Sequence, residues 1–247
     1  VHWPFCLSRC PYCDFNAHVR ERIDQAAYRD AILRELAFEA GRAGERRLGS
    51  IFFGGGTPSL MRPETAVAVI EAACAAFAPV EGIEITLEAN PTSVEIGRLR
   101  AFRDAGVNRV SLGVQALEDG ALKFLGREHD AGQARRALEA AVSIFPRASF
   151  DLICARPGQS VAGWTAELGD ALGYGTEHLS LYQLTIEPGT AFAARHARGE
   201  LALPEEELAA ALYDATIETA ARAGLDAYEV SNFARKGGES RHNLAYW

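Results

Sequence analysis

The chain has 247 residues, 48% hydrophobic and 23% charged, with a net charge of −8. That length buries roughly 70–75% of the surface the unfolded chain exposes, so no disulfide framework is needed. The acidic balance excludes nucleic acid as a main partner. No apolar run is long enough to span a membrane.

The first predicted strand, at 1–3, runs into Cys6-Leu-Ser-Arg-Cys10-Pro-Tyr-Cys13. An iron–sulfur cube normally takes four thiolates, so a cube held by these three leaves one iron free for a small molecule. The alternative is a zinc site completed by His18, five residues after Cys13. Further strands are predicted at 50–53, 83–88, 109–113, 149–153 and 178–184, and helices at 24–40, 63–77, 94–105, 131–145 and 161–172. Pro63 fits the first position of a helix; Gly106 and Gly173 fit helix ends. Strand and helix alternate, which implies a parallel sheet with helices outside. Six βα units are fewer than the eight of a closed barrel, so the expected fold is α/β, an open partial (β/α)6 TIM-like barrel. After Leu184 come a Glu187-Pro188-Gly189-Thr190 turn, a helix near 205–223 and a short strand at 227–230. The expected division is a core at 1–186 and a short α+β extension at 187–247, leading into a C-terminal domain that is not included. The chain is read as a piece of a longer protein.

Ligands of parallel α/β folds bind where strands end, and polar residues stand at these ends. Phe5, Tyr12 and Phe15 offer aromatic walls for the cysteine loop, which would keep water from a reduced cluster. Gly54-Gly55-Gly56-Thr57 follows the second strand and exposes backbone amides to a ligand. It lacks a phosphate-loop Lys and suits a charged amino-acid group better. Glu88 ends the third strand, either to meet a ligand's ammonium or hydroxyls or as an N-cap. Gln115, Arg127 and His129 follow the fourth, and Asp151 ends the fifth. Of the cysteines outside the cluster, Cys74 is read as a buried small apolar residue. Thiols in this pattern suit a reducing compartment, and the cytoplasm is the default.

Together these residues resemble the radical S-adenosylmethionine (SAM) superfamily, in the branch of the oxygen-independent coproporphyrinogen oxidases and the HemW-like heme chaperones. The resemblance rests on His2-Trp3-Pro4-Phe5-Cys6, Cys10-Pro-Tyr-Cys13-Asp-Phe-Asn16, residues 54–59, 88–91 and 108–115, and Leu125-Gly126-Arg127 with His129-Asp130. It continues through His178-Leu-Ser180, Tyr228-Glu-Val-Ser-Asn-Phe-Ala234 and His242-Asn243-Leu244-Ala245-Tyr246-Trp247. By that resemblance Cys6, Cys10 and Cys13 ligate a [4Fe–4S] cluster, and the amino and carboxylate groups of SAM chelate its fourth iron. Gly55, Gly56 and Thr57 line the methionine end of SAM, and Glu88 contacts it. Tyr12, Gln115, Arg127 and Asp151 correspond to positions that bind a second SAM in the coproporphyrinogen enzymes.

The oxidases carry a further cysteine where this chain has Phe15, while Asp14-Phe15-Asn16 and the His-Asn-x-x-Tyr motif at 242–246 resemble the chaperones. That motif is associated with heme, so the resemblance makes His242 the candidate iron ligand, against a hydrogen-bonded loop histidine. His18, His129, His178 and His196 are read as structural or solvent-facing. The implied function is a cytoplasmic heme chaperone for respiratory membrane proteins, with no catalytic residue assigned. Peripheral membrane contact and a homodimer are compatible with it. The alternative is an oxygen-independent coproporphyrinogen III dehydrogenase in porphyrin biosynthesis. One departure stands out: Cys154-Ala155-Arg156 replaces the family's usual Tyr-Gly-Leu before Pro-Gly-Gln. It is read as a surface change, with altered substrate access or pairing to a heme propionate as alternatives.

Overall fold

The computed structural model describes residues 1–246, apart from the side chains of Ser93 and Val94; Trp247, the last residue of the resemblance, lies outside the described residues. The elements in chain order begin with β1 (His2–Trp3), β2 (Phe5–Cys6), β3 (His18–Val19), α1 (Gln25–Ala43), β4 (Arg47–Gly55), α2 (Pro63–Ala76) and β5 (Ala78–Ala89). Then come α3 (Ser93–Ile96), α4 (Leu99–Asp104), β6 (Arg109–Gln115), α5 (Asp119–Phe124), α6 (Ala131–Ile144), β7 (Arg147–Cys154), α7 (Val161–Leu172) and β8 (His178–Gln183). The chain ends with α8 (Ala191–Ala197), α9 (Glu206–Arg222), β9 (Asp226–Ala227), β10 (Asn232–Ala234) and α10 (Arg241–Leu244).

Eight strands form one open sheet in the order β1-β4-β5-β6-β7-β8-β10-β9. Every pairing from β1 to β8 is parallel, and β10 runs antiparallel to both β8 and β9. Alternation along the strands explains why helices cover only one face. Phe53, Leu87, Leu112, Phe150 and Leu179 point outward and pack on Val69, Phe102, Leu138, Trp164 and Leu168 of the helices. The intervening residues, among them Glu84, Ser111, Ser149, His178 and Ser180, are polar and point into the concave lumen.

Three local expectations are corrected. The predicted helix at 94–105 is split into α3 and α4 around Gly97, a weak helix former. The Arg98 guanidinium leaves that break to donate to the carbonyls of Ser59 and Met61. The predicted strand at 227–230 is instead a bend between β9 and β10, held by Glu229, which accepts from the Ser231 N–H at 2.9 Å. The bend aims Tyr228 inward, where its hydroxyl lies 2.7 Å from His178 Nε2. Helices α5, α8 and α10, of 6, 7 and 4 residues, were not expected; they are too short for periodicity to register.

The floor of the lumen is ionic. Glu84, 2% exposed, accepts from Arg147 Nη1 at 2.5 Å, from Arg109 Nη1 at 3.5 Å and from the Arg241 N–H at 2.8 Å. Arg109 and Arg147 also donate to the carbonyls of Gly238 and Glu239. The segment entering α10 is therefore pinned across the bottom of the barrel. Replacing Glu84 by Ala leaves Arg109 a buried cation without its carboxylate and should cost about 3–5 kcal/mol in urea unfolding. Early proteolysis at 238–246 should accompany it. A loss below about 1 kcal/mol, the size of an exposed pair, would contradict this assignment.

Candidate functional site

The cysteine loop is tied off at its base. β2 and β3 pair in parallel, Phe5 with His18 and Cys6 with Val19, and the His18 N–H donates to the Pro4 carbonyl at 2.6 Å. Beneath the loop Trp3, Phe5 and Tyr28 meet edge to face, with ring centroids 4.9–5.3 Å apart. The glycine segment closes against the same loop: Gly56 N–H donates to Trp3 O at 2.7 Å and Thr57 N–H to Phe5 O at 2.9 Å. A Cβ on Gly56 would stand 2.8 Å from Phe5 O and 2.9 Å from Cys6 Sγ, so no other residue fits there.

A cavity of about 550 Å³ opens at this rim. Cys6, Cys10, Cys13, Tyr12, Gly55, Gly56, Thr57, Glu88, Gln115, Arg127 and Asp151 all line it. His242 does not. Its imidazole lies stacked on Phe52, with centroids 4.2 Å apart and planes at 17°, and meets Tyr246 edge-on at 5.1 Å. Burial holds its pKa below the usual value, so the ring stands neutral with a lone pair to offer.

Gln115 reaches the cavity through a backbone irregularity. The β6–β7 register shifts between Leu112 and Gln115, and Gln115 takes a φ of 70°, rare for a side-chain-bearing residue. Arg127 donates from Nη1 to Cys10 Sγ at 3.2 Å and to the Tyr12 hydroxyl at 3.4 Å, and from Nη2 to Gly113 O at 2.8 Å and to Asn90 Oδ1. Thr57 donates to Cys6 Sγ at 3.5 Å. Soft thiolates on one rim, met by hydrogen-bond donors, are a suitable ligand set for an iron–sulfur cluster. Burial raises the Cys6 and Cys13 thiol pKa values, so metal uptake must release their protons. His18, the fourth ligand of the zinc alternative, is exposed and does not line the cavity.

Several residues that matter were not singled out from sequence. Asn90 bridges Arg127 and Thr57, its amide donating to Thr57 Oγ1 at 3.2 Å. Glu95, 3% exposed, accepts from the Asn90 N–H at 2.8 Å. Ser111 donates to Asp151 at 3.3 Å, and Tyr182 lines the cavity. Glu95 lies in the first turn of α3, past the end of β5, so strand-end logic could not reach it. Phe15, expected as a wall, borders the cavity but is 59% exposed. His129 is buried against the Val114 carbonyl at 3.0 Å, its pKa pushed down to about 4 by burial, as a structural histidine should be.

The Cys154-Ala155-Arg156 departure is not a surface change. Cys154 and Arg156 are buried, Ala155 has a φ of 56°, and Arg156 pairs with Glu167 of α7. Glu167 also accepts from the Leu117 N–H at 2.9 Å, tying the loop after β7 to the one after β6. Arg156 does not line the cysteine cavity. Cys74, expected to be buried, is half-buried on α2.

Two carboxylates dominate the cavity's electrostatics. Burial pushes Glu88 up to about 7, with Asp151 adding to the shift and the Gly55 N–H, 3.1 Å away, opposing it. Burial likewise raises Asp151 to about 6. A raised acid stabilises the fold fully below its unfolded pKa and loses that contribution as pH climbs through the folded value. The protein without bound ligands should therefore lose stability between pH 4.5 and about 7, by on the order of 3 kcal/mol for Glu88. Glu88→Gln should flatten that decline in thermal melts and raise the melting temperature at pH 8. The same slope in the variant would remove Glu88 as its source.

Comparison with known proteins places this geometry. The model of the radical SAM superfamily matches residues 1–166. The bovine radical S-adenosyl methionine domain-containing protein 1, mitochondrial, is 47% identical over 249 residues, covering all of this chain and 56% of the relative. The heme chaperone HemW of Escherichia coli is 36% identical over 249 residues, covering all of this chain and 65% of the relative. The chain thus spans little more than half to two thirds of these relatives. Among solved structures, the coproporphyrinogen III oxidase HemN of E. coli, a radical SAM enzyme, superposes with a TM-score of 0.82 at 25% identity, over 99% of this chain and 56% of that one. That superfamily implies a [4Fe–4S] cluster and SAM. The chain belongs to the radical SAM superfamily, and it is similar to the HemW and HemN proteins.

Proposed function

We propose that this chain is the core of a heme chaperone that binds a [4Fe–4S] cluster, SAM and heme and passes heme to respiratory membrane proteins. The observation that carries the reading is the gathering of Cys6, Cys10 and Cys13 with Gly55, Thr57 and Glu88 around one cavity, in a chain 36% identical to the E. coli heme chaperone. Cys6, Cys10 and Cys13 would hold the cluster; when bound, it supplies an electron to the sulfonium of SAM. Gly55 and Gly56 bring the backbone close to the ligand, and Glu88 and Asp151, facing a cation, would ionise. Tyr12, Gln115 and Arg127 complete the wall.

Heme would sit elsewhere, at His242. Exposed Tyr246 and Leu244 beside it offer apolar surface to a porphyrin, and a neutral imidazole is an ordinary axial ligand. We also propose a division into a core at 1–186 and an extension at 187–247 that joins the same sheet through β10. No helix among the described residues is long and apolar enough to cross a membrane, and membrane contact in this reading is peripheral. A cytoplasmic location belongs to the proposal; the bovine relative is named mitochondrial, so cell fractionation is the check. The dehydrogenase reading is favoured by one observation, the superposition on HemN.

Purified without oxygen, the protein should carry roughly four iron per chain. Titration with heme should saturate at one per chain, and His242→Ala should weaken binding by about tenfold or more. Consumption of coproporphyrinogen III by the reduced protein with SAM would decide for the dehydrogenase instead. Zinc in place of iron would remove both.

A further inference from the structure

We infer that Arg127 and Asn90 form a hydrogen-bonded yoke across two of the three cluster cysteines, and that this yoke sets how readily the bound cluster accepts an electron. The inference rests on the reading of Cys6, Cys10 and Cys13 as the cluster's ligands. Asn90 is its hinge. The side-chain oxygen of Asn90 accepts from Arg127, whose other nitrogen lies 3.2 Å from Cys10 Sγ. The side-chain nitrogen of Asn90 donates to Thr57 Oγ1 at 3.2 Å, and that hydroxyl lies 3.5 Å from Cys6 Sγ. One amide thus orients the donors to two sulfurs at once.

The yoke is braced from behind. Glu95 accepts from the Asn90 backbone N–H at 2.8 Å, from the Thr92 hydroxyl at 3.2 Å and from the Ser59 hydroxyl. It therefore ties the loop of Asn90 to the loop of Thr57. Gly113 leaves the space that the yoke fills: a Cβ there would stand 3.3 Å from Arg127 Nη2 and 3.5 Å from Asn90 Oδ1. The hydrogen bonds of Arg127 run to a thiol, a phenol and two amide oxygens. None of them is a carboxylate, so its charge is not spent on an ion pair.

The electrostatic consequence has a definite sign. A cube on three thiolates gains one negative charge when it takes up one electron. A nearby cation and donors to its sulfurs favour that reduced form, and weak screening away from bulk water enlarges the effect. Arg127 therefore acts on the cluster whether or not it also touches a second ligand.

The test is a redox titration of the reconstituted protein without oxygen, with the electron supplied by a poised electrode. Arg127→Gln should lower the reduction equilibrium constant by about tenfold, which is about 59 mV for a one-electron couple. Arg127→Lys, which keeps the charge, should recover most of that shift. Thr57→Val and Asn90→Leu should move the midpoint the same way by less. Iron and sulfide contents equal to those of the unmutated protein, with an unchanged midpoint in Arg127→Gln, would overturn the inference. If Arg127→Gln holds no cluster, the same midpoint in both Thr57→Val and Asn90→Leu as in the parent overturns it. Failure of the unmutated protein to take up iron would instead refute the assignment of the cysteines.

Discussion

A carboxylate as deeply enclosed as Glu84 has to be neutralised where it stands, and the lower half of the barrel is arranged around that requirement. An unpaired charge in such a place costs several kcal/mol. Two arginines from neighbouring strands and one backbone N–H from the chain's far end meet the need together. The same contacts draw residues 238–241 under the sheet. A local electrostatic demand on β5 thereby decides where a segment more than 150 residues later comes to rest.

Above the floor, polar side chains pair across neighbouring strands of the lumen. Ser149 donates to Ser111 at 3.0 Å, and Ser180 donates to Asn232 at 2.9 Å, binding the antiparallel extension to the parallel sheet. At the rim Glu88 and Asp151 face one cavity: burial raises both, Asp151 adds to the shift of Glu88, and the Arg127 guanidinium on the same wall opposes that of Asp151. Buried carboxylates with raised pKa values beside the cysteine thiols mark this end of the lumen as the candidate binding site.

How much of this was legible depended on whether a residue's role was local. Strand-end residues could be read because a parallel sheet carries them to one rim whatever their partners, and Gly55, Glu88 and Gln115 arrived there; Asp151, within β7, and Arg127, past α5, line the same cavity. The long strands and the alternation of helix and strand were legible for the same reason, since hydrophobic periodicity is a property of short windows. Asn90 was not, because its role lies in bonds to Thr57 and Arg127, 33 and 37 residues away. Arg156 was misplaced on similar grounds: a charged residue in a loop reads as solvent-facing, and only the fold brings Glu167 to bury it. The split of the helix at 94–105 belongs with these, since Glu95 and Arg98 turn toward partners outside the helix.

The placement of His242 bears on how two cofactors could occupy one barrel. Phe52, on which its ring stacks, is a β4 residue whose side chain also borders Gly54: a Cβ on Gly54 would stand 2.6 Å from Phe52 and 3.2 Å from Glu88. Phe52 therefore lies between the His242 ring and the Gly54 backbone. His242 does not line the rim cavity, so in the proposed reading a porphyrin at His242 and a ligand among the cysteines need not compete for space. Proximity alone would not make the two sites communicate; coupling needs an element with two arrangements that both ligands bias.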